Sequence, residues 1–271
     1  MDISELNDRG LVMLGCGKMG SAMLAGWLAA GVDPRAVHVI DPHPSDWVRA
    51  QGVNLNGDFP DHPRAVLLAV KPQMMGAALP QVAALAAPRT VFVSVAAGTT
   101  LDTLGAALGQ AAIIRAMPNT PAAVGQGITA IVGNAQATDA DTTLAQAMLE
   151  AIGQVVRLQS EAQMDAVTGV SGSGPAYVFH MIETLAAAGE AEGLPADMAM
   201  ALAKATVAGA GALAMQADED PSQLRVNVTS PNGTTQAGLE VLMDDDKGLP
   251  PLMRATVHAA TERSKELARD G

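Results

Sequence analysis

The stretch Gly10-Leu11-Val12-Met13-Leu14-Gly15-Cys16-Gly17-Lys18-Met19-Gly20 decides the reading of the first half of the chain. Four consecutive apolar residues between two glycines read as a buried strand. The Ala- and Leu-rich residues 18–30 read as a helix closed by Gly31. At the junction, Gly15, Gly17 and Gly20 stand in the spacing G-x-G-x-x-G. That pattern points to a dinucleotide only between a strand and a helix, which is where it lies here. Gly15 allows the tight turn, Gly17 lets the backbone approach a pyrophosphate, and Gly20 lets the helix pack closely on the strand. The uncapped N–H groups at the helix start, around Lys18 and Met19, add a partial positive charge for phosphate oxygens. Gly15, Gly17, Lys18, Met19 and Gly20 are therefore candidate cofactor-binding residues.

Working outward, short apolar runs at residues 36–41, 64–70, 90–95, 111–115, 128–132 and 155–158 read as strands. Residues 45–51, 72–86, 100–108 and 139–152 read as helices between them, the first with Ser45 as its N-cap. Near-continuous apolar strands alternating with helices predict a parallel sheet covered on both faces. The strand signal stops near residue 160. Ser160-Glu161-Ala162-Gln163 reads as a capping box opening a helix. Pro175 and Pro195 stand at the first turns of helices reaching about residues 192 and 217, and residues 234–245 and 251–269 read as two more. The expected fold is α/β: an N-terminal Rossmann-type dinucleotide-binding domain over residues 1–160, followed by an all-α domain over residues 161–271. The helical half is rich in Ala, Gly and Met, so its helices can approach closely, which suggests intertwining with a second subunit.

The bulk composition excludes several functions. A formal net charge of −12 over 271 residues repels phosphate backbones, so no nucleic-acid partner is expected. No run of 18 apolar residues free of charges and breakers occurs, so no membrane span is expected. The polar start MDISELNDRG is unlike a secretory signal, and the single cysteine, Cys16, cannot form an intrachain disulfide. Both features fit the reducing cytoplasm. His38, His43, His62, His180 and His258 are scattered without ligand spacing, so no metal site is expected. No G-x-S-x-G elbow occurs.

In open α/β sheets ligands bind at the carboxyl ends of strands. Asp41 ends the second predicted strand, where an acidic residue binds the ribose 2′-hydroxyl of NAD and repels the 2′-phosphate of NADP. It also reads as a simple turn residue before Pro42. No Arg follows to hold a phosphate, although a protonated His43 would pair with one. The balance leans slightly to NADH with NADPH open. Ala69, Val70, Lys71 and Pro72 close the third strand, and Ala97 and Gly98 follow the fourth. Lys71 reads equally as a solvated charge. Met117-Pro118-Asn119-Thr120-Pro121 makes a stiff loop after the fifth strand, a candidate floor for the nicotinamide or a plain rigid turn.

Two further segments stand out. Residues 165–177, DAVTGVSGSGPAY, join the two halves and read either as a hinge or as a small-residue loop framed by Thr168 and Tyr177. Residues 227–235, NVTSPNGTT, precede a helix. Free N–H groups at Thr234 and Thr235, with the Ser230 hydroxyl, suit a carboxylate, although these residues alone read more readily as an ordinary N-cap.

On GCGKMG, LAVKP, RAMPNTPAAVGQG, DAVTGVSGSGPAY and VTSPNGTTQAGLEVL, spread in order over nearly the whole chain, the sequence resembles the pyrroline-5-carboxylate reductase family. The resemblance implies a Rossmann domain followed by an all-α dimerisation domain, a homodimer, and in some members a ring of dimers. It implies reduction of 1-pyrroline-5-carboxylate to L-proline by NADPH or NADH. It places Thr235 near the ring nitrogen as the catalytic residue. Ser230, Thr234 and Thr235 fall on the substrate-carboxylate clamp, and Thr168 with the SGSG segment lines the nicotinamide and substrate region. The chain departs from the family at Asn232, where Gly is common and a left-handed backbone would be needed. It departs also at Thr229, where Ser is frequent, and at Asp41, which is unusual for NADPH-preferring members. A dehydrogenase of the 3-hydroxyacid type is the nearest rival, but it needs a catalytic Lys that residues 160–192 lack. A non-catalytic NAD(P) sensor would leave the last two motifs without a purpose.

Overall fold

A computed structural model describes residues 4–270. Its strands are β1 (Leu11–Leu14), β2 (Val37–Ile40), β3 (Asn54–Leu55), β4 (Ala65–Leu68), β5 (Val91–Ser94), β6 (Ala112–Met117), β7 (Gly127–Gly133) and β8 (Gly153–Arg157). The helices are α1 (Ser4–Arg9), α2 (Lys18–Ala29), α3 (Asp46–Arg49), α4 (Met75–Val82), α5 (Leu101–Leu108), α6 (Asp139–Leu149), α7 (Met164–Val167), α8 (Gly174–Ala191), α9 (Ala196–Gln216), α10 (Pro221–Asn227), α11 (Thr234–Leu242) and α12 (Leu249–Asp270).

All eight strands lie in one sheet, ordered β3-β2-β1-β4-β5-β6-β7-β8. Side chains alternate between faces along each strand. Leu11 and Met13 enter a core with Met23, Leu24 and Trp27 of α2 and Leu144 and Met148 of α6. Val12 and Leu14 enter the opposite core with Leu79 and Val82 of α4 and Leu104 and Leu108 of α5. This two-sided burial is why the strands carry no polar alternation. The Trp27 indole N–H donates to the Met148 carbonyl at 2.7 Å, tying α2 to α6.

The expectation of a wholly parallel sheet is corrected at one place: β7 runs antiparallel to β6. The connection between Met117 and Gly127 is too short for a parallel crossover, which needs a dozen residues or more. The chain therefore turns back at the carboxyl edge. Helices α1 and α10 and the short strand β3 were not anticipated. The SGSG segment is not an open loop either. Ser160 and Gln163 form the expected capping box, and residues Thr168–Gly172 form a π-helical turn between α7 and α8.

By internal contacts the chain forms two compact units, one reaching Gly172 and including the residues from Ala260 onward, the other Ser173–Ala259. In the second unit α8 packs on α9 through small residues. Ala186, Ala199 and Ala203 are buried there, and a Cβ on Gly189 would lie 3.4 Å from that of Ala199. Many larger apolar side chains of this unit are exposed in the single chain, among them Phe179, Leu202, Leu213, Met215 and Val241. Among the described residues α9 alone is long and apolar enough to cross a membrane by length and composition, with mean hydropathy 1.5 in its most apolar window. It carries Asp197 and Lys204 and is therefore not the charge-free apolar run whose absence underlies the expectation of no membrane span.

Candidate active site

The glycine turn takes the form its spacing predicts. Gly15 has φ +85°, and a Cβ there would meet the Ala69 carbonyl oxygen and a Val70 methyl at 2.9 Å. A Cβ on Gly20 would lie 3.0 Å from the Gly15 carbonyl oxygen. Gly17 differs, for a Cβ there would meet nothing within 4 Å. It is the N-cap of α2 and no side chain caps that end. Open space over a bare glycine at an uncapped helix start is what a pyrophosphate needs. The residues present thus fit a dinucleotide. Lys18 is exposed and Met19 half-buried beside this space.

The carboxyl ends of the strands are held together by backbone hydrogen bonds. Gly15 N–H donates to Ile40 O at 2.8 Å, Ala69 N–H to Leu14 O at 2.8 Å, and Val95 N–H to Leu68 O at 3.1 Å. The turn after β1, Asp41 after β2, and Ala69 and Val70 after β4 therefore share one edge. Lys71 and Pro72 follow, both exposed, with Pro72 opening a 3₁₀ turn. After β5, Ala97 is exposed and Gly98 has φ +75°.

Asp41 is locked in place. Its carboxylate accepts from Cys16 N–H at 2.8 Å and from His43 N–H at 2.8 Å. The Asn56 carboxamide bonds both its N–H and its carbonyl, each at 2.9 Å. Asn56 was missed in the sequence because a lone residue in the bend after β3 carries no motif. Burial pushes the Cys16 thiol above its ordinary range, the Ser21 hydroxyl beside it acts the other way, and the nearby Asp41 charge adds to the rise. Cys16 is thus a protonated thiol filling the turn.

Asn119 is buried, and both ends of its side chain are engaged. Its oxygen accepts from Ile128 N–H at 3.0 Å, and its amide donates to Ser171 O at 3.2 Å. It joins the proline loop to β7 and to the π-turn. In that turn the Thr168 hydroxyl donates to Met164 O at 2.9 Å and the Ser171 hydroxyl to Val167 O at 3.1 Å. Gly172 passes so close to Met117 that a Cβ would lie 2.6 Å from its terminal methyl. Two polar links brace the same region and were not seen in the sequence. The buried Arg115 pairs with Glu161 at 2.5 Å, and the same carboxylate oxygen accepts from Leu101 N–H at 2.9 Å. Ser264 of α12 donates to Asp165 at 2.7 Å.

Ser230, Thr234 and Thr235 lie together in the second unit. Gly233 N–H donates to Ser230 O at 3.0 Å, and Gly233 is the N-cap of α11 with no side-chain cap. Asn232 adopts the left-handed backbone expected of it, φ 57°, and its N–H donates to Gln236 at 2.8 Å. Thr229 uses its hydroxyl on Arg225 O at 2.6 Å. Ser230, Thr234 and Thr235 are exposed. The turn therefore presents hydroxyls and free N–H groups at a helix start, a set suited to a small carboxylate.

The comparisons decide the family. A chain from Synechocystis sp. named pyrroline-5-carboxylate reductase is 41% identical over 266 residues, covering 96% of this chain and 98% of its own. The chain belongs to the pyrroline-5-carboxylate reductase family. Residues 161–267 match the family model for pyrroline-5-carboxylate reductase dimerisation. Residues 11–98 match that for NADP oxidoreductase, coenzyme F420-dependent. A solved pyrroline-5-carboxylate reductase from Coxiella burnetii superposes with TM-score 0.90 at 32% identity, covering 97% of this chain and 99% of that one. The Plasmodium falciparum pyrroline carboxylate reductase, solved with NADP bound, gives 0.81 at 26% identity, covering 97% and 99%.

Proposed function

We propose that this member of the family reduces the C=N bond of 1-pyrroline-5-carboxylate to give L-proline. The observation that carries the reading is the presence in one chain of an open, uncapped glycine cradle and an uncapped, hydroxyl-rich turn, in a chain alike over nearly its whole length to reductases of that name. A bound reduced nicotinamide, NADH or NADPH, supplies the hydride.

The chain's residues bind and orient. Gly15, Gly17, Lys18, Met19 and Gly20 hold the pyrophosphate, and Asp41 the adenine-side ribose. Ala69, Val70, Lys71, Pro72, Ala97 and Gly98 line the strand ends along the dinucleotide. Asn119, with its side chain engaged elsewhere, serves through the position of its loop. Ser230 and the N–H groups of Thr234 and Thr235 hold the substrate carboxylate. Thr168, whose proton is committed to Met164, offers lone pairs to the substrate region. Thr235 hydrogen-bonds the ring nitrogen, either donating the proton or orienting an iminium already formed. Positioning supplies most of the rate, because a protonated imine is itself a good hydride acceptor.

The exposed apolar side chains of the second unit support a homodimer, since a second copy of an Ala-rich helical surface covers such a face without a membrane. Assembly into a ring of dimers belongs to the same reading, as does a cytoplasmic enzyme without nucleic-acid or membrane partners. Sedimentation without detergent tests it: a mass of at least two 27.5 kDa chains is expected, and a detergent-dependent monomer overturns it. The activity is tested by following oxidation of NADH and NADPH with 1-pyrroline-5-carboxylate, against a 3-hydroxy acid with the oxidised cofactors. Imine-dependent oxidation is expected. Its absence with both cofactors overturns the assignment.

A further inference from the structure

Of the described residues of α12, Ser264 alone is buried. A hydroxyl is a poor choice for packing, because burying it costs free energy unless it is hydrogen-bonded. Ser264 meets that condition by donating to Asp165 at 2.7 Å. The residues from Ala260 onward belong to the unit that holds the sheet, so the link lies wholly inside that unit. It closes a circuit. Leu267, one helical turn beyond Ser264, lies over the loop after β5: a Cβ on Gly98 would be 3.6 Å from the Leu267 Cβ and 3.7 Å from its carbonyl oxygen. Gly98 runs on to Leu101, whose N–H donates to Glu161 at 2.9 Å. Glu161, in the 3₁₀ turn that opens α7, stands one turn before Asp165, and Asp165 returns to Ser264. The legs of the circuit are short, so a link loosened at one corner is felt at the next. The glycine turn after β1 and Asp41 after β2 take the adenine half of a dinucleotide that crosses the sheet edge. The loop after β5 lies beyond β4 in the strand order and falls to the nicotinamide half.

Building on the reductase reading, we infer that the last turns of α12 are a strap that fixes the loop after β5 for the nicotinamide half of the cofactor, and that Ser264 is the positioning residue that fastens it. Ser264 acts through Asp165 and, by way of Leu267, through Gly98. The strap serves one half of the dinucleotide, which sets it apart from a link that merely stabilises the fold.

The test reads binding, not turnover, in the full-length protein and below the melting temperature of each variant. Two matched pairs are titrated calorimetrically: NADH with ADP, and NADPH with adenosine 2′,5′-bisphosphate. Each fragment keeps the adenine half of its cofactor and lacks the nicotinamide half. The parent protein should bind the whole cofactor of at least one pair more tightly than its fragment. In Ser264→Ala the whole cofactor should weaken about tenfold, the loss expected of a hydrogen bond to a charged group, while the fragment is unmoved. Asp165→Ala should do the same. Asp165→Asn, which keeps an acceptor for the hydroxyl, should bind as the parent does. Leu267→Gly, which takes the Cβ off Gly98 and frays the last turn, should repeat the loss with Ser264 intact. A merely stabilising link would lower the melting temperature and leave the ratio of the two affinities unchanged. That result in Ser264→Ala, or a fragment weakened as much as its cofactor, overturns the inference alone. So does a parent that binds each fragment as tightly as the whole. A parent that binds no member of either pair overturns it together with the cofactor half of the reductase reading.

Discussion

The Asn119 amide lies 3.2 Å from the Ser171 carbonyl oxygen, so the proline loop after β6 and the π-turn carrying Thr168 are joined by a side chain rather than by neighbouring backbone. π-Turns collect at functional sites because their extra residue re-aims the chain. Here the re-aimed stretch is also held from outside. Asn119→Ala removes the acceptor of Ile128 N–H and the donor to Ser171, and should destabilise the protein by about 1–3 kcal/mol. Turnover should fall while ADP-ribose affinity is unchanged. A variant with lower melting temperature but normal turnover would make Asn119 a purely structural residue.

Thr235 stands at the first turn of α11 with its side chain exposed. If it supplies the proton to the ring nitrogen, Thr235→Ala lowers turnover on the order of 10²-fold with cofactor binding intact. Steady-state kinetics across pH decide the matter: near-normal turnover throughout removes Thr235 from the proton path. In the same assay Ser230→Ala should raise KM for the imine.

Glu161 answers the buried Arg115 guanidinium. Removing one partner leaves a buried charge alone. Because Glu161 is partly exposed, the expected loss for Glu161→Ala is about 2–3 kcal/mol, below that of a fully buried pair. A urea denaturation curve measures it, and a midpoint equal to that of the parent protein would show that water replaces the pair without cost.

Glu5 bridges Arg64 and Arg89. The Arg64 hydrogen bond holds its carboxyl below the ordinary value of 4.5. A depressed carboxyl contributes stability that is complete above that value and lost as pH falls below it through the folded pKa. The melting temperatures of parent and Glu5→Gln should therefore differ at pH 7 and converge as the solution is acidified below 4.5. A gap that persists in acid would show that Glu5 acts through packing.

The glycine turn, Asp41 and the left-handed Asn232 were legible because each is a local constraint. Gly15 must take a positive φ, and Asn232 replaces a glycine in a turn that still needs one. The strands were legible because burial on both faces leaves an apolar run. Their direction was not: residues 127–133 read alike either way, and the short return after Met117 sets the antiparallel pairing. Asn56, the partners of Asn119 and the Arg115–Glu161 pair were invisible for another reason. Each joins segments distant in sequence, and a lone Asn, Arg or Glu has no periodicity to betray it. The Ser230–Thr235 turn drew its meaning from the family's motif, because its residues alone make an ordinary helix start.

Gly153 opens β8 so close to its neighbour that an added Cβ would lie 2.0 Å from the Gly127 carbonyl oxygen. The next residue, Ile128, is the one whose N–H anchors Asn119. A side chain at 153 would wedge the two strands apart and pull on that anchor. An inherited lesion at this remote position would then present as a kinetic defect, in an enzyme whose ligand-contacting residues were all intact.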